Sequence, residues 1–278
     1  VITKKQPGAG EQVVVYDKKE RPILSQDANQ KAKGQWSFNL YDELSRPVAT
    51  GLFDNGADRV AMQTHANTNL NTGIVSISVF VGNGTYQSLN VENPIAGSSG
   101  TSNYCNGCNA TTLTYNSVTH FDNYSYTGVK NFNTNNNFAL NNVDFPDPTE
   151  KTSRTTGFVT GEKIRVLDND NNPFNDKFLY STAYYDEPGR SLQNLVDNIK
   201  IGGTDYQTNQ YDFAGRLLSS YTNHNNGTSV YTVTSRNVFD KIGRLTQFFK
   251  SYNNSAYKQL AEYTYDELGQ LKTKRLAP

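Results

Sequence analysis

An aromatic residue followed by aspartate, with a fixed sequel of turn residues, recurs six times in this 278-residue chain. The pairs begin at positions 16, 41, 185, 211, 239 and 265, so neighbouring copies within each group are 25 to 28 residues apart (16 to 41, 185 to 211, 211 to 239, 239 to 265). An interval of this length is typical of one supersecondary unit in a repeat protein. The sequence therefore predicts small units of one kind, and this restricts the possible folds more than any other feature.

The repeat consists of an aromatic residue, the aspartate after it, a glycine three positions later and an arginine after the glycine. We assign these positions as structural repeat residues: Tyr16, Asp17 and Arg21; Tyr41, Asp42 and Arg46; Tyr185, Asp186, Gly189 and Arg190; Tyr211, Asp212, Gly215 and Arg216; Phe239, Asp240, Gly243 and Arg244; Tyr265, Asp266 and Gly269. No catalytic, cofactor-binding or metal-binding role is assigned to any of them.

The spacing within each copy predicts a β-hairpin turn. Aspartate is favoured at the first position of a type I turn, where its carboxylate accepts a hydrogen bond from the backbone N–H two residues on. Glycine three positions later takes the left-handed conformation of a three-residue loop with a bulge. In this register Asp212 faces Arg216 and Tyr211 faces Leu217. The same register predicts these further pairs: Asp240 with Arg244, Phe239 with Leu245, and Tyr265 with Leu271.

Two copies depart from the turn pattern. Glu20 and Ser45 stand where glycine is expected. Because residues with a side chain rarely adopt the left-handed conformation, these two turns are expected to be strained or of another type.

The composition favours strands over helices. The chain has 18 Tyr and 14 Phe but one Met and one Trp, and aromatic residues beside Thr, Val, Asn and Gly favour strands joined by tight turns. Trp36, Phe38 and Leu40 alternate with polar residues, as on one face of a strand. One repeat of two strands cannot bury a face alone, so neighbouring repeats are expected to stack edge to edge. The predicted fold class is all-β.

At these residues the chain resembles the YD-repeat, or Rhs, family of large bacterial surface and toxin-carrying proteins. The family pattern Tyr-Asp-x-x-Gly-Arg-Leu is present at 211–217, and the stretches 15–29 and 36–51 look like the opening repeats of the secreted subgroup. The resemblance covers about 1–52 and 178–278, with weaker similarity around 121–124. It implies a YD-repeat β-hairpin spiral, a fragment of a hollow cocoon that encloses a C-terminal cargo, often a toxin.

The resemblance also implies a function and partners. We expect a non-enzymatic structural segment of a secreted or cell-surface shell, without a cofactor. Its expected partners are the remaining repeats and the C-terminal cargo of the same longer polypeptide, and the outer-membrane secretion machinery. The chain begins at Val1 without an initiator methionine, and we interpret it as a piece of a longer protein. The family's self-cleaving segment carries aspartates in an Asp-Pro-x-Gly context; here Asp147-Pro148 is followed by Thr149-Glu150, so no protease role is transferred.

The pattern divides the chain into three regions. Residues 1–52 are predicted to be the first YD repeats, 53–160 degenerate repeats or a loop-rich β insertion, and 161–278 the second block of YD repeats. Within the middle region, 74–81 is predicted to be a strand, 97–100 and 135–137 are predicted to be loops, and 143–149 is predicted to be an extended crossing back into the repeats.

Several other classes of function are disfavoured. The 26 Lys and Arg residues equal the 26 Asp and Glu residues, whereas nucleic-acid binders normally have a basic excess. No apolar run approaches the roughly 20 residues of a membrane-spanning helix. The turn aspartates are expected to be ionised beside arginine, which disfavours a pair of catalytic carboxylates like that of a glycosidase. The chain has three histidines but no G-x-S-x-G nucleophile elbow, which disfavours a Ser-His-Asp site.

Two short motifs could bind metal, but each is incomplete. Cys105 and Cys108 form a single C-x-x-C pair without two further ligands for structural zinc, so a loop thiol pair or a small disulfide is favoured. The acidic run 168–172 lacks the glycine and the bidentate glutamate of a calcium loop.

Glycan binding remains an alternative function. The many tyrosines could stack on sugar rings as part of a cell-surface adhesin, but a sheet with few leucines would use the same tyrosines for packing. The sequence favours packing and leaves the adhesin open.

Overall fold

The computed structural model describes residues 3–69, 76–80, 86–90, 113–135, 137–140, 145–167, 177–198, 203–225 and 227–277. The strands in these ranges are β1 (Thr3–Gln6), β2 (Gly10–Tyr16), β3 (Pro22–Gln26), β4 (Gln35–Tyr41), β5 (Pro47–Asp54), β6 (Ser76–Phe80), β7 (Tyr86–Asn90), β8 (Leu113–Phe121), β9 (Val159–Arg165), β10 (Phe178–Tyr185), β11 (Ser191–Asp197), β12 (Thr204–Tyr211), β13 (Leu217–Asn225), β14 (Val230–Phe239), β15 (Leu245–Tyr252), β16 (Lys258–Tyr265) and β17 (Leu271–Leu276). The helices are α1 (Ala28–Lys33) and α2 (Arg59–Asn69).

Fifteen of these strands form one antiparallel sheet in the order β1-β2-β3-β4-β5-β8-β9-β10-β11-β12-β13-β14-β15-β16-β17, and β6 and β7 pair with each other. Apart from the step from β5 to β8, each strand of the large sheet lies beside its neighbour in sequence. The all-β fold with hairpin-connected strands is therefore confirmed. The strand predicted over 74–81 is present as β6.

The predicted cross-strand pairs are also present. Tyr211 lies opposite Leu217, Phe239 opposite Leu245 and Tyr265 opposite Leu271. In each hairpin the register shifts by one residue immediately before the aromatic residue. This bulge lets a short loop connect two strands that would otherwise be out of register.

The chain divides into two compact units, and the first comprises 1–120, 124–127 and 162–178. Its core is apolar: Trp36, Phe38 and Leu40 alternate with less buried neighbours along β4, as the sequence predicts, and pack with Val15 and Leu24. Helix α2 lies against β2, where the side chain of Gln63 bonds to the backbone of Tyr16 at both its N–H (3.1 Å) and its C=O (2.8 Å).

The sequence did not predict α2, because the region after residue 53 was expected to hold loops or degenerate strands. Asp58 begins the helix by accepting the N–H of Ala61 at 2.8 Å, a normal N-terminal capping contact. Met62 and Ala66, one turn apart, are buried in the apolar core.

The second unit comprises 121–123, 128–161 and 179–278. One face of β10–β13 carries a row of buried polar side chains: Thr182, Gln193, Thr208, Gln210 and Ser219. Buried polar groups need partners, and an irregular segment supplies several of them. We call this segment, residues 128–158 in its described parts, the strap.

The strap meets the polar row through its backbone. Gln193 accepts the N–H of Asn133 at 2.8 Å and donates to its C=O at 3.0 Å. Further along, Gln210 accepts the N–H of Leu140 at 2.6 Å, and Ser219 donates to the C=O of Phe138 at 3.1 Å. Four backbone groups of a segment without regular structure are thus satisfied by the sheet.

Some predictions fall outside the described residues: those on Cys105 and Cys108, on the loop at 97–100 and on the acidic run 168–172. In the part of the chain that the structure describes, no helix is long and apolar enough to cross a membrane.

Candidate functional site

The repeat residues form six hairpin turns with the same geometry, which we call corners and name by their aspartates: Asp17, Asp42, Asp186, Asp212, Asp240 and Asp266. In every corner the aspartate N–H donates to the C=O four residues on, at 2.9–3.0 Å. The N–H three residues on donates to the aspartate C=O, also at 2.9–3.0 Å. These two bonds close the three-residue loop that the sequence predicts.

Each aspartate side chain is bound within its own corner. One carboxylate oxygen accepts the backbone N–H four residues on, at 2.7–2.9 Å. In five corners the other oxygen accepts the Nε of arginine at 2.6–2.7 Å. Gln270 replaces the arginine in the sixth corner. The carboxylates are therefore used to hold the turns.

The Asp240 carboxyl shows the electrostatic result. Its pKa lies below the usual range because the backbone N–H of Arg244 binds the carboxylate, with the Arg244 guanidinium and the N–H of Ile242 adding to the effect. A carboxylate held ionised in this way has no proton to donate.

Glu20 and Ser45 keep the same turn as the glycine corners. Their φ angles are 60° and 65°, and the glycines at the equivalent position have φ of 80–90°. The expectation that these two turns are strained is therefore confirmed, and the alternative, a different type of turn, is wrong. In one of them Ser45 gains a contact, because its hydroxyl accepts the Arg21 Nη1 at 3.1 Å.

Neighbouring corners are joined through arginine. The guanidinium of one corner lies over the aromatic ring of the next: Arg21 over Tyr41 (4.8 Å), Arg190 over Tyr211 (4.6 Å), Arg216 over Phe239 (5.1 Å) and Arg244 over Tyr265 (4.6 Å). Arg190 also donates to the C=O of Asp212 at 2.9 Å. Each of these four arginines thus completes its own turn and contacts the following one, with a cation–π attraction of about 0.5–1 kcal/mol at exposed sites.

The aromatic residues make a contact in the opposite direction. The hydroxyls of Tyr41, Tyr211 and Tyr265 donate to the C=O groups of Pro22, Ser191 and Leu245, each of which directly follows the arginine of the preceding corner (3.1, 3.0 and 2.7 Å). Burial raises the pKa of Tyr41 and of Tyr211. These hydroxyls are committed to joining repeats.

An asparagine two residues before the aromatic makes a similar bond, and the sequence reasoning missed it. Asn39, Asn209 and Asn237 donate to the C=O groups of Pro22, Ser191 and Leu217 at 3.2, 3.0 and 2.9 Å. The signal was present, because each stands in an Asn-x-Tyr/Phe-Asp sequence.

A seventh corner is opened by the strap. Asp122, which follows β8, donates its N–H to the C=O of Phe158 at 3.1 Å and accepts the N–H of Gly157 at 2.6 Å. Phe158 precedes β9, so it takes the position of the arginine. Residues 123–156 are inserted where the other corners have two loop residues. This agrees with the weaker repeat similarity noted around 121–124.

The strap returns to the sheet along the corners. The N–H of Asp147 donates to the C=O of Tyr211 at 2.9 Å, and the N–H of Thr152 to the C=O of Tyr185 at 2.8 Å. The Asp147 carboxylate accepts the Arg190 Nη2 at 2.7 Å. Burial lowers the pKa of Arg190, but the bonds to Asp147 and Asp186 outweigh it and the pKa is raised.

The described parts of the chain hold no group of three or more His, Cys, Asp or Glu residues suited to a metal ion. The corners therefore provide repeated aspartate–arginine ion pairs and aromatic rings covered by guanidinium groups. These contacts hold the strands together.

No protein-family model matches the chain, and no curated protein matches it. Similar solved structures include crystal structures of TcdB2-TccC3 (14% identity, TM-score 0.30), of TcdB2-TccC3-Cdc42 (15%, 0.30) and of TcdB2-TccC3 without the hypervariable C-terminal region (15%, 0.30). Each match covers 99% of this chain and 12% of the other. The chain thus spans about an eighth of the length of the structures it resembles.

Proposed function

We propose that this chain is a structural, non-enzymatic segment of a secreted YD-repeat shell, whose wall encloses or displays a cargo carried by the same longer polypeptide. The observation that carries the proposal is the link between corners, in which the arginine of one turn covers the aromatic ring of the next. A unit completed only by its neighbour is suited to an extended wall, in which stability is a sum over adjacent units.

The use of the carboxylates supports a structural role. Each turn aspartate accepts the backbone N–H that closes its loop, and five of the six also bind arginine. Catalysis by paired carboxylates requires one group that holds a proton near neutral pH, whereas the bonding in the Asp240 corner holds the pKa of its carboxyl below the usual range.

The outer strands of the sheet suggest where further repeats would attach. Strand β17 lies at one edge of the sheet, and all six of its residues are exposed. A strand at a sheet edge presents unpaired backbone groups along one side. In our proposal the next hairpin of the longer polypeptide pairs with this edge, and export to the cell surface or medium precedes or accompanies closure of the wall.

Limited proteolysis of the source polypeptide tests the proposal. We expect an intact mass far above 31.0 kDa, and a non-repeat region that resists protease until the repeats unfold. The double variant Arg216→Gln/Arg244→Gln should lose this protection at a lower temperature, whereas the exposed-site variant Gln207→Met should keep it. A polypeptide of about 31 kDa, or a non-repeat region cut equally fast in all three proteins, would contradict the proposal. A glycan array distinguishes the adhesin alternative, since a wall segment should give no saturable binding.

A further inference from the structure

One face of the last strands of the sheet concentrates positive charge. Side chains alternate between the two faces of a strand, so the register of the pairing shows which residues share a face. Lys250 of β15 lies directly opposite Lys258 of β16. Phe248, two positions before Lys250, lies opposite Ala261. These four residues therefore stand on the same side of the sheet.

Strand β17 continues this face. Tyr263 is two positions after Ala261 in β16, and it lies opposite Lys274 of β17. Lys272 is two positions from Lys274 and so stands on the same side of its strand. We call this side of β14–β17 the lysine face.

Within β14–β17 the lysine face carries no acid. The sequences of these four strands contain one acidic residue, Glu262, and its two neighbours in β16 belong to the lysine face. Glu262 therefore lies on the other side of the sheet, where it pairs with Arg275 at 3.8 Å. Asp266 and Glu267 belong to the corner that joins β16 to β17, beyond the end of the strands. The lysines of β16 and β17 are exposed, so their charge is available to a ligand.

Two aromatic rings lie between the lysines, and each is paired with one of them. The Lys250 Nζ is 5.7 Å from the centre of the Phe248 ring, and the Lys274 Nζ is 5.8 Å from the centre of the Tyr263 ring. Phe248 and Tyr263 are diagonal neighbours across β15 and β16, a relationship that separates two residues by about 7–8 Å. The face thus presents a diagonal row: two lysines, two rings and two further lysines.

A nucleotide offers partners for both members of such a cation–ring unit. Its phosphate binds an ammonium group and its base stacks on an aromatic ring, and a single strand of nucleic acid repeats both groups at every residue. An acidic polypeptide supplies the charge without a flat ring at each step. A lipid bilayer supplies a flat surface, whereas neighbouring strands are rotated by roughly 20–25°, so a face four strands wide does not lie flat on it. The row therefore fits single-stranded nucleic acid best.

The neutral composition of the chain does not oppose this ligand. The 26 Lys and Arg residues equal the 26 Asp and Glu residues, and the sequence alone therefore disfavours nucleic-acid binding. Exposed charges act over about one Debye length, roughly 10 Å at 0.1 M salt. A ligand on the lysine face is therefore affected by the local lysines more than by the net charge of the chain.

We propose that the lysine face is a binding site for single-stranded nucleic acid, without sequence preference. Two neighbouring bases stack on Phe248 and Tyr263, and the flanking phosphates bind Lys250, Lys258, Lys272 and Lys274. The site does not depend on the shell function proposed above.

A labelled oligothymidylate of about 12 nucleotides, a length within the range covered by one binding module, is the probe. It is titrated against the whole chain and followed by fluorescence anisotropy. We expect saturable binding with a Kd on the order of 10⁻⁵ M at about 0.1 M salt. The slope of log K against log salt should be about −3, because four phosphates are neutralised at roughly −0.7 each.

Two pairs of variants separate the contributions of charge and ring. Lys250→Gln/Lys274→Gln should weaken binding at least ten-fold and reduce the slope by about 1.4. Lys4→Gln/Lys5→Gln removes the same charge from β1, at the opposite edge of the sheet, and should change neither. Tyr263→Leu should weaken binding at least five-fold through loss of stacking and leave the slope unchanged. Tyr231→Leu, at a tyrosine of β14 outside the row that is 51% exposed, is its control.

Several results would overturn the proposal. Equal losses in the two lysine double variants, provided that both melt at the wild-type temperature, would mean that binding follows total charge. Unchanged affinity in Tyr263→Leu would mean that the rings take no part. Equal affinity for polyglutamate or for a sulfated polysaccharide would assign the face to another kind of polymer. In the wild-type protein, which needs no variant to fold, amide shifts on adding the oligonucleotide should fall in β15–β17, and shifts confined to other strands would place the ligand elsewhere.

Discussion

Phe158 lies on the ring of Tyr185, with centroids 4.5 Å apart and planes inclined by 27°, in the position that a guanidinium occupies at the other linked corners. The Tyr185 hydroxyl donates to the C=O of Val159 at 2.7 Å, just as Tyr211 donates to the residue after Arg190. A carbon placed on Gly189 would approach Phe158 to 2.8 Å, and one placed on Gly243 would approach Arg216 equally closely. The link between corners therefore survives the insertion of the strap.

Replacing Phe158 tests this equivalence. Phe158→Arg is expected to change the free energy of unfolding by less than about 1 kcal/mol, because arginine makes the same contact over tyrosine elsewhere in the sheet. Phe158→Ala should cost about 1.5–3 kcal/mol through loss of a half-buried ring. Urea unfolding of both variants provides the measurement. If arginine costs as much as alanine, Phe158 is an ordinary packing residue and the corners are not equivalent.

Arg190 pairs with two carboxylates, those of Asp186 and Asp147, so its loss should be severe. Arg190→Gln leaves the buried carboxylate of Asp186 and the strap residue Asp147 without their cation, and we expect a loss of about 2–4 kcal/mol. Arg244→Gln is the matched control. It should cost much less, because the Asp240 side chain is 23% exposed and Gln270 already replaces arginine in the next corner. Thermal unfolding of both variants provides the comparison. Equal destabilisation would mean that the strap contact to Arg190 adds nothing to the stability of the fold.

The strained residue Glu20 offers a stabilising change. Its φ of 60° is costly for a residue with a side chain, so Glu20→Gly should raise the free energy of unfolding by about 0.5–1 kcal/mol. Lys19→Gly, one position earlier at an ordinary negative φ, should instead lower it by a few tenths of a kcal/mol. Differential scanning calorimetry can resolve the two signs. A destabilised Glu20→Gly protein would show that the glutamate side chain makes a contact worth more than the strain.

The corners could be predicted from the sequence because their chemistry is local. Asp212, Gly215 and Arg216 act within five residues, and the pairing of Tyr211 with Leu217 follows from the loop length alone. The asparagines at 39, 209 and 237 were equally visible, but their acceptors belong to the preceding repeat and have no side-chain signature.

The strap and α2 could not be predicted in this way. The hydrogen bonds that hold these segments join residues far apart in the sequence. The bonded pairs are Ser219 and Phe138 (81 residues apart), Thr182 and Lys130 (52 apart), and Gln63 and Tyr16 (47 apart). These contacts use backbone groups on one partner, so no pattern of side chains marks them. Thr, Gln and Ser in a strand are usually exposed, and here they are buried because a polar segment covers them.

His120 makes the stability depend on pH. It is buried in β8, its ring stacks on Tyr126 at 4.0 Å, and its Nδ1 has no hydrogen-bond partner within the described residues. Burial, aided by the charge of Lys163, lowers its pKa from 6.5 to about 4. The unfolded chain therefore binds the proton first as the pH falls.

The part of the free energy of unfolding that depends on a neutral His120 is fully present above pH 6.5. It is lost progressively as the pH falls to about 4. Urea unfolding at pH 7.5 and 4.5 should show a loss of about 2–3 kcal/mol that is absent in His120→Phe, where a similar ring keeps the stack. His224→Phe, at an exposed histidine, should retain the wild-type loss. A His120→Phe protein as sensitive to pH as the wild type would refute the assignment.

Gln193 is expected to hold the strap on the sheet. Its side chain is fully buried and bonds to both backbone groups of Asn133 and, at 2.7 Å, to the hydroxyl of Thr208. Gln193→Met keeps the volume but leaves three buried polar groups unpaired, each costing about 1–3 kcal/mol unless the strap lifts away to reach water. Lifting is the cheaper response, so hydrogen exchange at the Asn133 amide should accelerate at least ten-fold while amides of β14–β16 stay protected. The same substitution at the exposed Gln207 should accelerate neither. Uniform acceleration across the sheet in Gln193→Met would mean that the strap and the sheet unfold together, and that the strap is part of the core.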